Sequence, residues 1–181
     1  MKLYTGMRGK NSGLVDLIAI LPSDILMAEV GCYAGESTLM FMQSGKIKVL
    51  YAIDPWSNKW DGDIPAGKEK SYRHMYANMA WAEQSFDFRL KGYDVVKYKN
   101  TLKEVIDKLP LLDFFYIDGD HRYEYVKNDT TLAMKKIVRG GIIAGHDYNH
   151  VNNKGVIRAV NEVLGKPDRV FRDTSWLKYI H

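Results

Sequence analysis

Short stretches of this sequence set residues that can bind or move charge beside glycines or at the ends of apolar runs. The first, EVGCYAGEST, places Glu29 ahead of Gly31 and Gly35. Glycines so spaced let the chain turn sharply and bring backbone N–H groups close to a ligand; they also serve a plain strand-to-helix turn. Glu29 itself belongs to the apolar run ILMAEV, where a carboxylate is costly unless it meets a donor or a cation, and a ligand ammonium would suit it. Asp54 ends the apolar run KVLYAI, where ribose-binding acids stand in nucleoside-binding sheets. Ahead of Pro55 it equally suits a turn. The dinucleotide pattern GxGxxG and the phosphate-cradling GKS or GKT are absent, which weighs against a dehydrogenase or a nucleotide triphosphatase.

Two later stretches add a second chemistry. YIDGDHRYEY carries Asp118, Asp120 and His121, and GGIIAGHDY carries His146 and Asp147. Asp118, His146 and Asp147 together suit one divalent cation, the carboxylates favouring magnesium and the imidazole leaning toward manganese or a heavier metal. The same residues also suit a helix cap at Asp118 and a hydrogen-bonded turn at His146-Asp147. His121 has the natural pKa for abstracting a proton near neutrality, and also the character of a surface loop residue.

The elements that must position these residues follow from apolar runs and their punctuation. A helix over 12–20 stops at Pro22, and ILMAEV is a buried strand ending at Gly31. A helix from Glu36–Thr38 to Gln43 then leads to the strand KVLYAI, a βαβ unit whose right-handed crossover implies a parallel sheet. PWSNKWDGDIPAG, 55–67, reads as a long irregular loop suited to a lid. Beyond it come a helix from about Lys68 to Gly92, the strand VVKYK, the short helix TLKEVIDKL and the strand LDFFYI. A helix over about 122–138 is predicted to end at Arg139-Gly140-Gly141, with IIAG as the next strand. GVIRAVNEVLG reads as a helix closed by Gly165, and DRVFRD and SWLKYI as a terminal hairpin. The expected fold is a doubly wound α/β, mostly parallel seven-stranded sheet with a C-terminal antiparallel hairpin, one domain over 1–181. Such sheets bind ligands outside the carboxyl ends of their strands, where Gly31 to Gly35, Asp54, Thr101, Asp118 to His121 and His146-Asp147 all fall.

With those residues in place, the chain resembles the class I S-adenosylmethionine-dependent methyltransferases, in particular the catechol-type and macrolide-sugar O-methyltransferase group with its small bacterial relatives. EVGCYAGES is similar to the family's first motif, YIDGDHRYEYV and GGIIAGHDY to a form common among bacterial members, and GVIRAVNEV and FRDTSWL extend the likeness to the end. The resemblance implies that Glu29, Gly31, Tyr33, Gly35 and Ser37 hold the methionine end of S-adenosylmethionine, with Asp54 on the ribose, Thr101 near the adenine and Asp118 at the same site. It implies magnesium or another divalent cation on Asp118, His146 and Asp147; the family usually has Asp-Asn or Asp-Asp where this chain has His-Asp. The catechol-type lysine base falls on His121, so His121 or His146 is the expected base. The Trp-rich loop at 55–67 is expected to cover the substrate in place of the amino-terminal helices of longer relatives.

Bulk properties bound the rest. At 181 residues, 46% hydrophobic and 27% charged, the chain suits one domain with a proper core. Its apolar runs fall short of the about 18 residues that cross a bilayer. The start, MKLYTGMRGKNSG, lacks the apolar core of a secretory signal, and a lone Cys32 makes no internal disulfide, so the cytoplasm is expected. The net charge of +4 is spread among acids rather than clustered, which disfavours nucleic acid. The acceptor expected by resemblance is a small-molecule or glycan hydroxyl, with Trp56 and Trp60 suited to stacking on a ring. An exposed hairpin edge suits a homodimer. The alternatives are a nicotinamide-dependent oxidoreductase and a cofactor-binding sensor or scaffold without transfer activity.

Overall fold

Alternation along LDFFYI decides the layers: Phe114 and Tyr116 are buried on one face of the sheet, Phe115 and Ile117 on the other. The computed structural model describes residues 11–58, 78–148 and 153–181. Strands β1 (Ile25–Val30), β2 (Ile47–Ile53), β3 (Val95–Tyr98), β4 (Leu112–Ile117) and β5 (Ile137–Gly145) run parallel. The short β6 (Arg169–Val170) and β7 (Trp176–Tyr179) complete a seven-stranded sheet of order β3-β2-β1-β4-β5-β7-β6, with β7 antiparallel to both its neighbours. The order reverses between β1 and β4, the switch point at which such sheets bind ligands.

Helices α1 (Ser12–Ile20), α2 (Glu36–Gln43) and α3 (Met79–Arg89) cover the Tyr116 face, giving Leu17, Phe41 and Phe86 to that core. On the other face, α4 (Leu102–Val105) with its 3-10 turn Ile106–Lys108, α5 (Tyr123–Met134) and α6 (Lys154–Leu164) contribute Val105, Val126 and Val160. The aromatic side chains at the centre are fully buried, each worth on the order of 2–3 kcal/mol. Phe41 sets its edge against both Phe114 and Tyr116, at 5.6 and 5.1 Å between centroids. Among the described residues, no helix is long and apolar enough to cross a membrane.

Most predicted elements stand where the apolar periods put them, and three differ. The helix after β4 ends at Met134 rather than running to 138, and the strand begins at Ile137. Arg139-Gly140-Gly141, read as a helix cap, is instead an irregularity inside β5. While β4 advances from Leu112 to Phe114, its partner advances from Ile137 to Ile142. Gly140 takes φ 82° there, and its N–H donates to the Ile180 carbonyl at 2.7 Å. A glycine with positive φ looks the same in sequence whether it ends a helix or bulges a strand. TLKEVIDKL divides into one α turn and one 3-10 turn. The helix predicted from Lys68 is described from Met79, ending at Arg89; its first part and Trp60 with most of the 55–67 loop lie outside the described residues.

Two glycines of β5 separate strain from space. A Cβ on Gly140 would meet nothing within 4 Å, whereas one on Gly145 would sit 2.3 Å from the Ile117 carbonyl oxygen and 3.0 Å from the Trp176 ring. Gly140→Ala is therefore expected to cost about 1–2 kcal/mol from its left-handed φ alone. Gly145→Ala should cost about 3 kcal/mol or more by forcing β4 and β5 apart. Urea unfolding of the two variants checks this, and equal costs would contradict it.

Candidate active site

The first loop is built around Gly31. A Cβ there would lie 2.2 Å from the Asp118 carbonyl oxygen, so only glycine lets β1 and β4 leave the sheet side by side at φ 89°. The Gly31 N–H donates to the Ile53 carbonyl (2.9 Å) and the Asp118 N–H to that of Val30 (2.8 Å), drawing the ends of β1, β2 and β4 together. Gly35, φ 79°, then starts α2, and a Cβ on it would press on Leu90 and Phe86 at 2.8 and 2.9 Å.

Strand alternation turns Glu29 onto the same face as Met27, toward the first turn of α2. It is fully buried, with one oxygen accepting from the Ser37 hydroxyl and the other from that of Thr38 at 2.5 Å. Burial pushes its carboxyl up to about 7, against the two hydroxyls that favour the charged form; the charges of Asp118 and Asp54 push the same way as burial. Asp54 organises the second edge. Its Oδ2 accepts the Tyr33 N–H (2.9 Å) and its Oδ1 the Trp56 N–H (2.7 Å). Trp56 Nε1 closes the ring by donating to the Tyr33 carbonyl at 2.7 Å. Both aromatic residues have positive φ, 47° and 40°, an uncommon conformation that this mutual bonding holds in place. Burial raises the Asp54 pKa while the amides of Trp56, Tyr33 and Cys32 work to lower it.

The resulting cleft, about 210 Å³, opens at the carboxyl ends of the strands. Gly31, Tyr33, Ser37, Asp118 and His146 line it. Glu29 and Asp54 bond to lining residues from behind. Thr101 stands apart: it is exposed, and its N–H and hydroxyl both donate to Glu104 Oε2 at 2.8 Å as the cap of α4. Trp56 is only 4% exposed and packs on Phe86 at 5.0 Å between centroids, so it serves as a clamp in the core rather than a stacking surface.

Beyond the cleft floor, Asp118, His121 and Asp147 bring one ligand atom each to within 4.8 Å of one another. His121 Nε2 lies 3.0 Å from Asp147 Oδ2 and 3.5 Å from Asp118 Oδ1. The grouping differs from the expected set, because the third member is His121 and not His146. Among the described residues His146 pairs with Asp147, Nδ1 lying 3.5 Å from Oδ2, and it faces the cleft. His146 and Asp147 lie beyond the end of β5, Asp147 with φ 63°, and the loop after β4 folds His121 back onto the acids. Burial lowers the His146 pKa, but the Asp147 hydrogen bond and the charges of Asp118, Asp147 and Asp173 outweigh it and carry the group up to about 9. His121 is raised in the same way by Asp118, Asp147 and Asp120 against burial. Asp147 is lowered: burial pushes up, and the two histidines with Asn153 pull further down. Asp173 and Tyr116 also line the cleft. Both fall in stretches that carry the family resemblance, YIDGDHRYEYV and FRDTSWL, but neither residue type marks itself as a site residue there.

A methyltransferase-domain family profile matches residues 28–148, the span from β1 through the His146-Asp147 edge. The chain belongs to the methyltransferase-domain family. An uncharacterized protein of Acanthamoeba polyphaga mimivirus is 30% identical over 148 residues, 78% of this chain and 60% of that protein, so the chain spans less than two thirds of the relative's length. Among solved structures, the O-methyltransferase NovP superposes with TM-score 0.62 at 18% identity, covering 94% of this chain and 77% of its own. A precorrin-8w decarboxylase of Methanobacterium thermoautotrophicum gives TM-score 0.61 at 16% identity, covering 97% and 86%. The O-methyltransferase TomG of Streptomyces achromogenes, in complex with S-adenosylmethionine, gives 0.55 at 14%, covering 98% and 82%. At these identities the structural likeness speaks for the fold.

The buried Glu29 makes a pH prediction for the protein without ligand. A carboxyl raised from 4.5 to about 7 binds its proton more tightly folded than unfolded. Its contribution is therefore most favourable below 4.5 and is lost as pH rises to about 7, on the order of 3 kcal/mol in all. Glu29→Gln, neutral throughout, should flatten the decline of stability over that range in denaturation series at stepped pH. An unchanged slope would show that Glu29 titrates normally.

Proposed function

We propose that this methyltransferase carries a methyl group from S-adenosylmethionine to the hydroxyl of a small molecule or sugar, assisted by a divalent cation. The observation that carries this reading is the double membership of Asp118, which lines the cleft and belongs to the Asp118-His121-Asp147 cluster. The same residue thus adjoins both the cofactor loop and a cation-binding group. Two carboxylates and an imidazole suit magnesium or manganese, and their close approach across two loops fits a shared ion. S-adenosylmethionine supplies an activated methyl on sulfur, and a cation at the cluster would lower the pKa of an acceptor hydroxyl.

The chain's own residues do the remaining work. Glu29, behind the cleft wall, holds Ser37 and Thr38 in place through its two oxygens, and Gly31, Tyr33 and Ser37 shape the wall that would meet the methionine end of the cofactor. Asp54 serves first as the clamp of Tyr33 and Trp56, and its remaining lone pairs suit ribose hydroxyls. With His121 engaged at the cluster, His146 is the group left facing the cleft to take the acceptor's proton. In-line displacement on sulfonium needs alignment and proton removal and no covalent nucleophile.

Calorimetric titration with S-adenosylhomocysteine, repeated with magnesium, with manganese and with a chelator, tests the reading. Binding of the homocysteine product with added heat from the metal is expected; absence of binding under every condition would overturn it. Asp118→Asn and His146→Ala should each lower transfer to an accepted hydroxyl by at least about 100-fold, the usual scale of positioned proton transfer. Binding of S-adenosylhomocysteine should survive in His146→Ala. Full activity in both variants would refute these roles.

A further inference from the structure

One wall of the cleft comes from a part of the chain that no motif marks. Asn11 and Leu14, at the start of α1, line it together with Ser37, Asp118 and His146. The first N–H groups of a helix need partners from outside the helix. Asn11, at the N-cap, makes no side-chain capping bond; its amide donates instead to Met40 Sδ at 3.6 Å. Asp173, in the turn between β6 and β7, takes over the task. Its Oδ2 accepts the Leu14 N–H at 2.7 Å across 159 residues of sequence, while its Oδ1 accepts the Ser175 N–H at 3.0 Å. A carboxylate here also meets the positive end of the helix dipole.

The approach is close enough to dictate a residue on the other side. A Cβ on Gly13 would lie 2.0 Å from Asp173 Oδ1 and 2.6 Å from Phe171 Cβ. The same turn reaches the catalytic edge in the opposite direction. The Thr174 carbonyl accepts the Tyr148 N–H at 3.0 Å, and Trp176 Nε1 donates to the His146 carbonyl at 3.2 Å. Asp173 itself lines the cleft between these two attachments.

We propose that Asp173 is a positioning residue of the methyl-transfer site. It fixes the start of α1 as a wall of the cofactor cleft and orders the turn that holds the His146–Tyr148 segment. This rests on the methyltransferase reading above. It assigns to the terminal hairpin a part in cofactor retention that the strand-end loops alone do not supply.

The test compares wild type with Asp173→Ala, Asp173→Asn and Gly13→Ala, using calorimetric binding of S-adenosylhomocysteine and residue-resolved amide hydrogen exchange. Asp173→Ala is expected to weaken binding about tenfold, the scale of a lost helix cap. Exchange should quicken at Leu14 to Leu17 while the β4 amides, such as that of Tyr116, keep their protection. Asp173→Asn, which keeps one carbonyl acceptor, should fall between. Gly13→Ala, which breaks the same contact from the helix side, should reproduce the Ala phenotype. Wild-type affinity in folded Asp173→Ala, or loss of protection spread evenly over the sheet, would overturn the proposal and leave Asp173 a stabilising residue only. Failure of the wild type to bind S-adenosylhomocysteine would instead overturn the methyltransferase reading and this inference with it.

Discussion

The approach of Gly31 to the Asp118 carbonyl, where a side chain would have 2.2 Å of room, governs the geometry of everything at the functional edge. It permits β1 and β4 to end side by side, and with the Gly31 N–H on Ile53 it gathers β2 into the same corner. Three strand ends in one place put three acids there, Glu29, Asp54 and Asp118. The rest of the local structure answers that concentration of negative charge. Ser37 and Thr38 turn hydroxyls onto Glu29, and the loop amides of Tyr33 and Trp56 turn onto Asp54. Where donors run short, burial and mutual repulsion lift the Glu29 pKa to about 7.

Backbone strain gathers at the same edge. Tyr33, Trp56 and Asp147 all take positive φ without being glycine, each beside the cleft or the cation cluster. Such conformations cost of order 1–3 kcal/mol and persist only when neighbours over-determine them. For Tyr33 and Trp56 the neighbour is Asp54, whose two oxygens fix both backbones while the indole locks the ring of contacts. The acid whose position suits a ribose is in the structure the keystone of the loop that shapes the site. That doubling explains why turn and ligand readings of Asp54 were both drawn from the same residue type.

What was legible in the sequence was whatever depends on period and punctuation. ILMAEV, ESTLMFMQ and LDFFYI have the bounds their apolar patterns give, and the strand ends carry the acids and histidines expected of them. Side-chain direction at loops was not legible. His121 and His146 are interchangeable as residue types, and only the fold of the loop after β4 sends His121 to the acids and leaves His146 facing the cleft. Trp56 looked like a ligand platform because loop tryptophans often are, yet its indole is spent on Phe86 and the Tyr33 carbonyl. Thr101 stands at a strand end as cofactor residues do, but S/T-x-x-E ahead of a helix is also a capping box, and here the cap takes its hydroxyl. Asp173 was invisible because its role depends on a contact 159 residues away.

The charges of the cleft bear on which states of the site compete. Its walls carry Glu36, Asp118 and Asp173, with Glu29 behind Ser37, and His146 is the imidazole among its lining residues. Such an environment favours cations over neutral molecules of the same shape, and a sulfonium loses its charge when it gives up its methyl. At the cluster, the acids that raise the histidine pKa values are the groups a divalent ion would use. A ligating imidazole must be neutral, so an ion held by Asp118, His121 and Asp147 would work against the proton affinity that those carboxylates raise on His121. Protons and a cation would compete for one constellation, and a cation held there would leave His146 with less negative charge around it and a weaker hold on its own proton. The acids that draw protons onto the two histidines are therefore the same groups that would hold the proposed cation.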